Sequence, residues 1–403
     1  MKTEKTKQLD KMIQKARLAV GDEKQVRNQY NEIATKDAIK HYAWGYGDLN
    51  PLWLEEDYAK STSWGNIIAP PTFPLSTHWG PQYPTNSPGS KGMGLPGLFA
   101  LYTGVEFTFH EPIRVNESVQ TIKKAIGIVD SSGRVDGDLI EPSVDFDKAF
   151  RYAGARWGAF EGRMVDQVHQ FKTYASGKLV AVAMQQVVRV EHGAIAVNEG
   201  KYRDLALPKY TREDLERICE AYEREFLRGR DVLYWEDVNV GDTLPAIVKG
   251  PLTVNSMVVF LMGAGSPFGM TDRAMHLYLR RFPGANILDS ETNVPDVPER
   301  AHWDTLVANS LGWPRGYDFG QQVLCALGQL VTNWMGDDAL LRTLTFWRVR
   351  PWFLYETMWV YGRVAAKDKT AEGALAYIDL WTETAEGDRI CDGSASVALK
   401  TRS

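Results

Sequence analysis

The residues best suited to proton transfer lie in a short phrase near the N-terminus. Residues 47–59 have the sequence GDLNPLWLEEDYA, in which Asp48 and Asn50 precede a proline and Trp53 follows it by two positions. A carboxylate such as Asp48 can accept or deliver a proton when it lies within hydrogen-bond reach of a reacting water. Asp and Asn also hold turns by bonding nearby backbone N–H groups, so the phrase can equally be a turn that precedes a helix.

A second, divided copy of this phrase follows in the other half of the chain. It consists of GAGSP at 263–267 and AHWDTLVA at 301–308. Ala264 aligns with the aspartate of the first copy, and His302 aligns with its tryptophan. The pattern indicates a duplicated chain in which one half retains the acid and the other retains an imidazole.

The phrase resembles the hydratase motif of the MaoC-like, R-specific enoyl-CoA hydratases, which have the hot-dog fold. Further segments are similar to the same family, and they extend the resemblance to nearly the whole chain. In the first half these are IIAPPTF (67–73) and GVEFTFHEPIRVNESV (104–119). In the second half they are GWPRGYDFGQQVLCALGQLVTNWMG (312–336), with Phe319 in place of the family's turn histidine, and LTFWRVRPWFLYETMWVYGRV (344–364).

The resemblance implies an α+β protein with a tandem (double) hot-dog fold, in which each half is a central helix wrapped by an antiparallel sheet. The first half, residues 1–198, resembles the dehydratase of fatty-acid synthase. A charged helical connector at 199–231 leads to the second half, residues 232–403, which carries an insert at 268–300. Residues 134–162 lack a clear period and are expected to be a lid or a surface insertion.

Hydration of a trans-2-enoyl thioester needs a base for the water, an acid for Cα and donors for the enolate oxygen. An Asp and a His can move the protons, and amides at a helix N-terminus can bind the oxyanion. The resemblance places Asp48 and Asn50 at family positions in the first half, and His302 and the amide of Gly320 in the second. The catalytic candidates are Asp48, Asn50 and His302, and the substrate-binding candidates are Trp53, His78 and Gly320.

Three arrangements could restore a complete acid–base pair. The first half is active if Asp48 works with His78 or His41 as the proton carrier. Asp48 and His302 could instead meet across the pseudo-twofold axis. The second half is active if the insert supplies a carboxylate, for which the sequence offers Asp272, Asp289, Glu291, Asp296 and Glu299. The unbroken GDLNP turn favours Asp48.

Composition indicates an ordinary two-domain protein and excludes several partners. The chain has 403 residues, of which 44% are hydrophobic and 24% charged, enough for two packed cores. A net charge of −5 without a basic block argues against a nucleic-acid partner. No apolar run approaches the roughly 18 residues of a membrane span, and the N-terminus lacks the apolar region of a signal peptide. A cytoplasmic location is therefore expected.

The three cysteines, Cys219, Cys325 and Cys391, lack the paired spacing of a disulfide framework or a zinc site. We expect buried or inert thiols, and no metal or cofactor.

The expected activity is that of a hydro-lyase, an enoyl-CoA hydratase or 3-hydroxyacyl-CoA dehydratase. The alternatives are an acyl-CoA thioesterase and a non-catalytic subunit that binds acyl thioesters. The expected partner is an acyl-CoA or acyl-carrier thioester, in a homo-oligomer or with a paired subunit. Candidate cations for the phosphates of coenzyme A are Lys123, Lys124, Arg348 and Arg350.

Overall fold

A ten-stranded antiparallel sheet dominates the structure. The computed structural model describes residues 4–80, 95, 98–130, 164–191, 202, 205–310 and 312–402. The strands of the sheet are β1 (Glu23–Gln25), β2 (Leu98–Phe109), β3 (Val119–Asp130), β4 (Met164–Ala175), β5 (Lys178–Glu191), β6 (Ile247–Lys249), β9 (Leu340–Arg348), β10 (Met358–Thr370), β11 (Gly373–Thr384) and β12 (Arg389–Leu399). Two short strands, β7 (Ile287–Leu288) and β8 (Pro295–Asp296), pair with each other in the insert.

The strand order is β1-β3-β4-β5-β2-β9-β12-β11-β10-β6, so each half contributes five neighbouring strands. The halves meet where β2 pairs with β9, from Gly104 opposite Trp347 to Thr108 opposite Thr343. Each half repeats the same order of long strands, as expected for a duplicated hot-dog unit. The sequence prediction of an α+β double hot-dog fold is confirmed.

The helices lie on the concave side and at the ends of this sheet. They are α1 (Glu4–Arg17), α2 (Lys36–Gly45), α3 (Pro51–Leu54), α4 (Glu56–Lys60), α5 (Arg212–Glu223), α6 (Val254–Ala264), α7 (Asp272–Arg281), α8 (Thr305–Ser310) and α9 (Gly320–Met335). Short 3₁₀ helices cover Phe73–Thr77, Trp235–Asp237, Pro283–Ala285 and Pro298–His302. No helix in the described ranges is both long and apolar enough to span a bilayer.

Helix α9 is the central helix of the second half. All but one of its sixteen residues are buried, because the strands of this half wrap around it. Its apolar side chains, such as Val323, Leu327 and Leu330, join one core cluster with residues of β9 to β12. The helix ends at Gly336, whose φ of +74° lies in the left-handed region that glycine tolerates best.

The first half differs from the prediction at its central helix. In place of the expected long central helix, the described residues that follow Thr72 form the five-residue 3₁₀ helix Phe73–Thr77. Pro74 lacks an N–H, and the Ser76 and Thr77 hydroxyls donate to the carbonyls three residues earlier. These bonds compete with a regular helical ladder. The predicted lid at 134–162 lies outside the described residues.

The two motif-bearing helices, α2 and α6, cross each other closely. A Cβ on Gly45 would lie 3.5 Å from the Cα of Gly263, and one on Gly263 would lie 2.4 Å from the carbonyl oxygen of His41. Glycine at both positions allows the two backbones to touch. The two copies of the sequence phrase therefore begin from one helix–helix contact.

The connector between the halves is less helical than predicted. Of residues 199–231, the described part forms a single helix, α5, with a capping box between Thr211 and Asp214. The Tyr222 hydroxyl donates to the carbonyl of Gly250, which fixes this helix against the second half.

Candidate active site

A large cavity lies between the two halves and has a volume of about 860 Å³. This volume falls within the usual range for ligand pockets. Its walls include residues of both halves, among them Trp79, Tyr102 and Arg189 of the first and Ser266, Glu299, His302 and Gly320 of the second. The second copy of the motif therefore opens onto a space of ligand size.

The GAGSP turn positions Ser266 at this cavity. Helix α6 ends at Gly265, whose φ is +76°. The Ser266 Oγ accepts a hydrogen bond from the Phe268 amide at 2.9 Å, and it donates to Glu299 Oε1 at 2.5 Å. Ser266 thus links the end of the motif helix to a carboxylate that the insert contributes.

Glu299 and His302 lie on one turn, the 3₁₀ helix Pro298–His302. Residues three apart eclipse each other on such a helix, so both side chains project to the same side. Arg300, between them, pairs with Asp289 and with Asp304, the latter at 2.6 Å. These two ion pairs tie the turn to both neighbouring segments.

The environment of Glu299 favours its protonated form. Burial raises its pKa to about 7, and the charge of Asp296 acts in the same direction, while the Ser266 hydrogen bond opposes them in part. A carboxyl group with such a pKa can hold or release a proton near neutral pH. This property is the one required of a general acid or base.

His302 is held as a neutral imidazole beside the backbone of Tyr317 and Asp318. Its Nδ1 lies 2.8 Å from the Tyr317 carbonyl oxygen, which can only accept, so the neutral ring carries its proton on Nδ1. The ring stacks on Phe319 at 4.0 Å between centroids. Burial lowers the pKa of His302 to about 4. Its Nε2 therefore carries a lone pair at neutral pH.

The N-terminus of α9 lies at the same cavity. Gly320 is its first residue, and the first amides of a helix have no intrahelical acceptor. A Cβ on Gly320 would lie 2.6 Å from Tyr102 Cδ1 and 2.9 Å from Arg348 Nη2. Glycine at this position therefore fits beside a crowded wall where a side chain would not. The arrangement suits an oxygen that gains negative charge.

Arg348 and Arg350, two of the cations considered for coenzyme A phosphates, have other partners. Arg348 forms a buried bidentate pair with Asp318, at 2.9 and 2.6 Å. Arg350 pairs with Glu356 through two bonds of 2.9 Å. Both pairs fix the loops around α9, which gives these two arginines a structural role.

The first copy of the motif is closed. Asp48 is 1% exposed, and its oxygens accept hydrogen bonds from the Tyr46 hydroxyl (3.0 Å), the Trp53 indole (2.9 Å) and the Asn50 amide (3.0 Å). It is not among the residues that line the large cavity. The structure thus gives Asp48 the geometry of a turn-holding residue rather than of a base facing a substrate.

Asn50, Trp53 and His78 are also separate from the large cavity. The Asn50 side chain caps α3 by accepting from the Leu52 amide, and Asn50 and Trp53 line a cavity of only about 40 Å³. His78 is 3% exposed and stacks on Phe171 at 4.2 Å. Burial lowers its pKa to about 3. Trp53 and His78 are both packed in the core, so their contact with substrate stays a prediction from the sequence.

The structure brings His302 and Gly320 together, and it separates them from Asp48 and Asn50. His41, the alternative partner for Asp48, is exposed on α2. Glu299 was one of five carboxylates that the insert offered, and sequence gave no means of ranking them. Its position three residues before His302 could have identified it, because residues three apart lie on the same side of a helical turn. Ser266 and Tyr317 were not anticipated as residues that orient the pair.

Comparisons with known proteins agree with this fold. A family model described as "FAS1-like, dehydratase domain region" matches residues 19–140. A UPF0336 protein of Parafrankia sp. (strain EAN1pec) is 28% identical over 112 residues, which are 28% of this chain and 70% of that protein. A solved structure titled "MaoC-like dehydratase" superposes with a TM-score of 0.61 at 17% identity, covering 96% of this chain and 100% of that one.

The fold that the chain shares with these structures is the double hot-dog fold. A putative MaoC domain dehydratase from Chloroflexus aurantiacus J-10-fl is similar over 95% of this chain and 96% of its own, with a TM-score of 0.52 and 11% identity. A conserved hypothetical protein of Mycobacterium tuberculosis, described as having a double hotdog fold, matches with a TM-score of 0.52 and 9% identity over 94% and 96% of the two chains.

Proposed function

We propose that this MaoC-like protein is a hydro-lyase that adds water to a 2-enoyl thioester, or removes it from a 3-hydroxyacyl thioester, at one site in its second half. The observation that carries the proposal is the Glu299–His302 pair. Both residues lie on one helical turn and line one cavity together with the N-terminus of α9. Burial favours a protonated carboxyl on Glu299 and an unprotonated ring on His302.

The start of α9 fixes the thioester in this mechanism. The substrate carbonyl oxygen accepts a hydrogen bond from the Gly320 amide, at the positive end of a sixteen-residue helix. The interaction strengthens as the carbonyl becomes an enolate, because negative charge accumulates on this oxygen. Cα and Cβ of the acyl group then lie beside the acid–base pair.

The two side chains divide the proton transfers in the hydration direction. His302 Nε2 takes one proton from water while the hydroxide oxygen bonds to Cβ, and electrons of the double bond move toward the carbonyl. Protonated Glu299 then delivers its proton to Cα, which regenerates the thioester carbonyl. Return of the proton from the imidazolium to the Glu299 carboxylate restores the resting enzyme, so one water is consumed and no cofactor is needed.

Coenzyme A or an acyl-carrier protein could carry the acyl group. Two exposed cations, Lys15 of α1 and Arg281 of α7, are among the residues that line the cavity. Their charges suit the phosphates of coenzyme A, which favours that carrier. Assembly as a homo-oligomer or with a paired subunit, and a cytoplasmic location, stay predictions from the sequence.

The direct test follows two signals with a panel of trans-2-enoyl-CoA thioesters. Hydration removes the conjugated double bond and its ultraviolet absorbance without releasing thiol. A thioesterase would instead release free coenzyme A, which a thiol reagent detects. We expect loss of the enoyl absorbance, formation of the R-3-hydroxyacyl thioester and no thiol. Thiol release at the same rate as the absorbance change would contradict the proposal, as would the absence of any reaction across the panel.

A further inference from the structure

The concave face of the first half carries an unusual strip of polar and basic side chains. His169 and Gln167 alternate with outward-facing residues along β4, and Arg189 follows on β5. Lys123 of β3 lies opposite Phe171 of β4, and its ammonium nitrogen lies 5.3 Å from the centroid of the Phe171 ring. Arg189 donates through Nε to Gln167 at 3.1 Å. We call Lys123, Gln167, His169, Gln185 and Arg189 the basic strip.

The equivalent face of the second half serves only for packing, and the two faces can be compared residue by residue. Pro112 follows β2 in the first half, and Pro351 follows β9 in the second half. Lys123 lies eleven residues after Pro112 (123 − 112), and Gly362 lies eleven residues after Pro351 (362 − 351). The strand registers extend this match to the rest of the strip. The counterparts of Lys123, Gln167, His169, Gln185 and Arg189 are, in order, Gly362, Ala376, Ile378, Ala395 and Leu399.

These counterparts are apolar, and four of them belong to the buried cluster that packs around α9. A Cβ on Gly362 would lie 3.3 Å from Leu330 of that helix. In the first half, the described residues hold the 3₁₀ helix Phe73–Thr77 in place of a long central helix, and α1 packs on part of the same face, beside Ala125 and Val165. At the five positions of the strip, polar and basic residues therefore stand where the second half has apolar ones.

The basic strip lacks an anion among the described residues. Burial lowers the pKa of Lys123 to about 8 and that of Arg189 to about 10, and no described carboxylate opposes the shift. His169 is 6% exposed, and its Nε2 has no hydrogen-bond partner in the described part of the chain. Burying cations without a counter-charge costs free energy. A bound anion would recover part of that cost.

The strip is connected to the proposed active site. Arg189 lines the large cavity, together with Tyr102 and Gly320. An acyl group whose thioester carbonyl lies at Gly320 can extend past Tyr102 toward the strip. The far end of that acyl group would then meet Arg189 first, with Lys123 and His169 further along the same face.

We propose that the basic strip binds a carboxylate at the distal end of the acyl group. The substrate class is then an enoyl thioester that ends in a free carboxylate, rather than a simple fatty acyl thioester. This inference rests on the proposed function, since it concerns the same cavity. It assigns Arg189 and Lys123 as substrate-binding residues that select the acyl chain and take no part in proton transfer.

The test compares two enoyl-CoA thioesters of equal chain length, one ending in a carboxylate and one in a methyl group. We expect the wild-type kcat/KM to be higher for the carboxylated substrate. Arg189→Met and Lys123→Met should each lower that value by about tenfold or more, because a desolvated charge contact is lost. The same variants should lower kcat/KM for the methyl-ended substrate by a much smaller factor, so that the preference for the carboxylated substrate is lost. Lys172→Met is the matched control, because Lys172 lies on the opposite face of β4.

Two results would overturn the inference. One is a wild-type enzyme that shows no preference for the carboxylated substrate. The other is an equal loss on both substrates in Arg189→Met and Lys123→Met, which would assign the strip to the phosphates of coenzyme A or to folding.

A binding measurement separates this inference from the proposed function. The dissociation constants of the two corresponding saturated acyl-CoA thioesters can be measured by calorimetry even if neither enoyl substrate is hydrated. Tighter binding of the carboxylated ligand that is lost in Arg189→Met supports the strip without any catalysis. Equal affinity for both ligands contradicts it.

Discussion

At the scale of single residues, the two halves have lost opposite members of an acid–base pair. In the first half Trp53 donates to Asp48, so a position suited to proton transfer has become a structural hydrogen bond. In the second half Ala264 replaces the acid, and Glu299 of the insert lies near His302 instead. The sequence named His302 and Gly320 as site candidates, and both line the large cavity. It favoured Asp48 because burial and saturated hydrogen bonds are not visible in a motif.

Replacement of Asp48 by Asn should affect stability more than activity. Asn keeps one acceptor oxygen but turns an N–H₂ group toward donors that now lack a partner, which costs about 1–3 kcal/mol. Urea unfolding should show this loss, with Asp57→Asn, an exposed change on α4, as the control. A variant as stable as wild type would contradict the structural role.

The pH dependence of hydration follows from the two pKa values. His302 must be unprotonated, so the rate should rise as pH increases through about 4. Glu299 must be protonated, so the rate should fall as pH increases through about 7. Initial rates measured between these limits and above them test both signs. A rate that keeps rising above pH 8 would mean that Glu299 acts as the base in hydration.

At the scale of elements, the insert is the part that completes the site. Its helix α7 and the turn Pro298–His302 line the cavity, and Arg300 joins that turn to Asp289 and Asp304. The position of the insert within the motif indicated that it could contribute to a site. The residues that it contacts there could not be predicted, because they are brought together only in the folded chain. The first-half helix was predicted wrongly for a local reason, since Pro74 and two hydroxyl side chains favour a 3₁₀ turn.

Arg300→Ala should loosen this turn and lower kcat by about tenfold or more, because misplacement by a fraction of an ångström is costly in catalysis. The pH midpoints should stay where they are in wild type, since Arg300 positions the pair and transfers no proton. Steady-state kinetics at several pH values measure both quantities. Arg280→Ala, an exposed change on α7, is the control. An unchanged kcat would show that Arg300 does not position the catalytic pair.

At the scale of the whole molecule, the two halves are joined by a continuous sheet and a close helix crossing. Strands β2 and β9 continue a single sheet, and α2 crosses α6 at Gly45 and Gly263. The strand repeats and the duplicated phrase were sufficient to predict the double hot-dog architecture. They were not sufficient to predict the close helix crossing, because it depends on which backbones touch.

Gly263→Ala should destabilise both halves together. The added Cβ would lie 2.4 Å from the His41 carbonyl oxygen, and such overpacking costs about 1–3 kcal/mol. We expect one unfolding transition, shifted to lower temperature, when calorimetry and circular dichroism are compared. Gly284→Ala is the control, since no atom lies within 4 Å of its Cβ. Two separated transitions would mean that the halves fold independently.

The central claim is that Glu299 and His302 form the single hydration site of this molecule. Its most direct test is the initial rate of enoyl-CoA hydration by Glu299→Gln, His302→Gln and Asp48→Asn, each corrected for the folded fraction. The account predicts losses of about two to four orders of magnitude for the first two variants. It predicts a rate within a fewfold of wild type for Asp48→Asn. Near-normal hydration by Glu299→Gln, together with a large loss in Asp48→Asn, would contradict the account and assign the reaction to the first half.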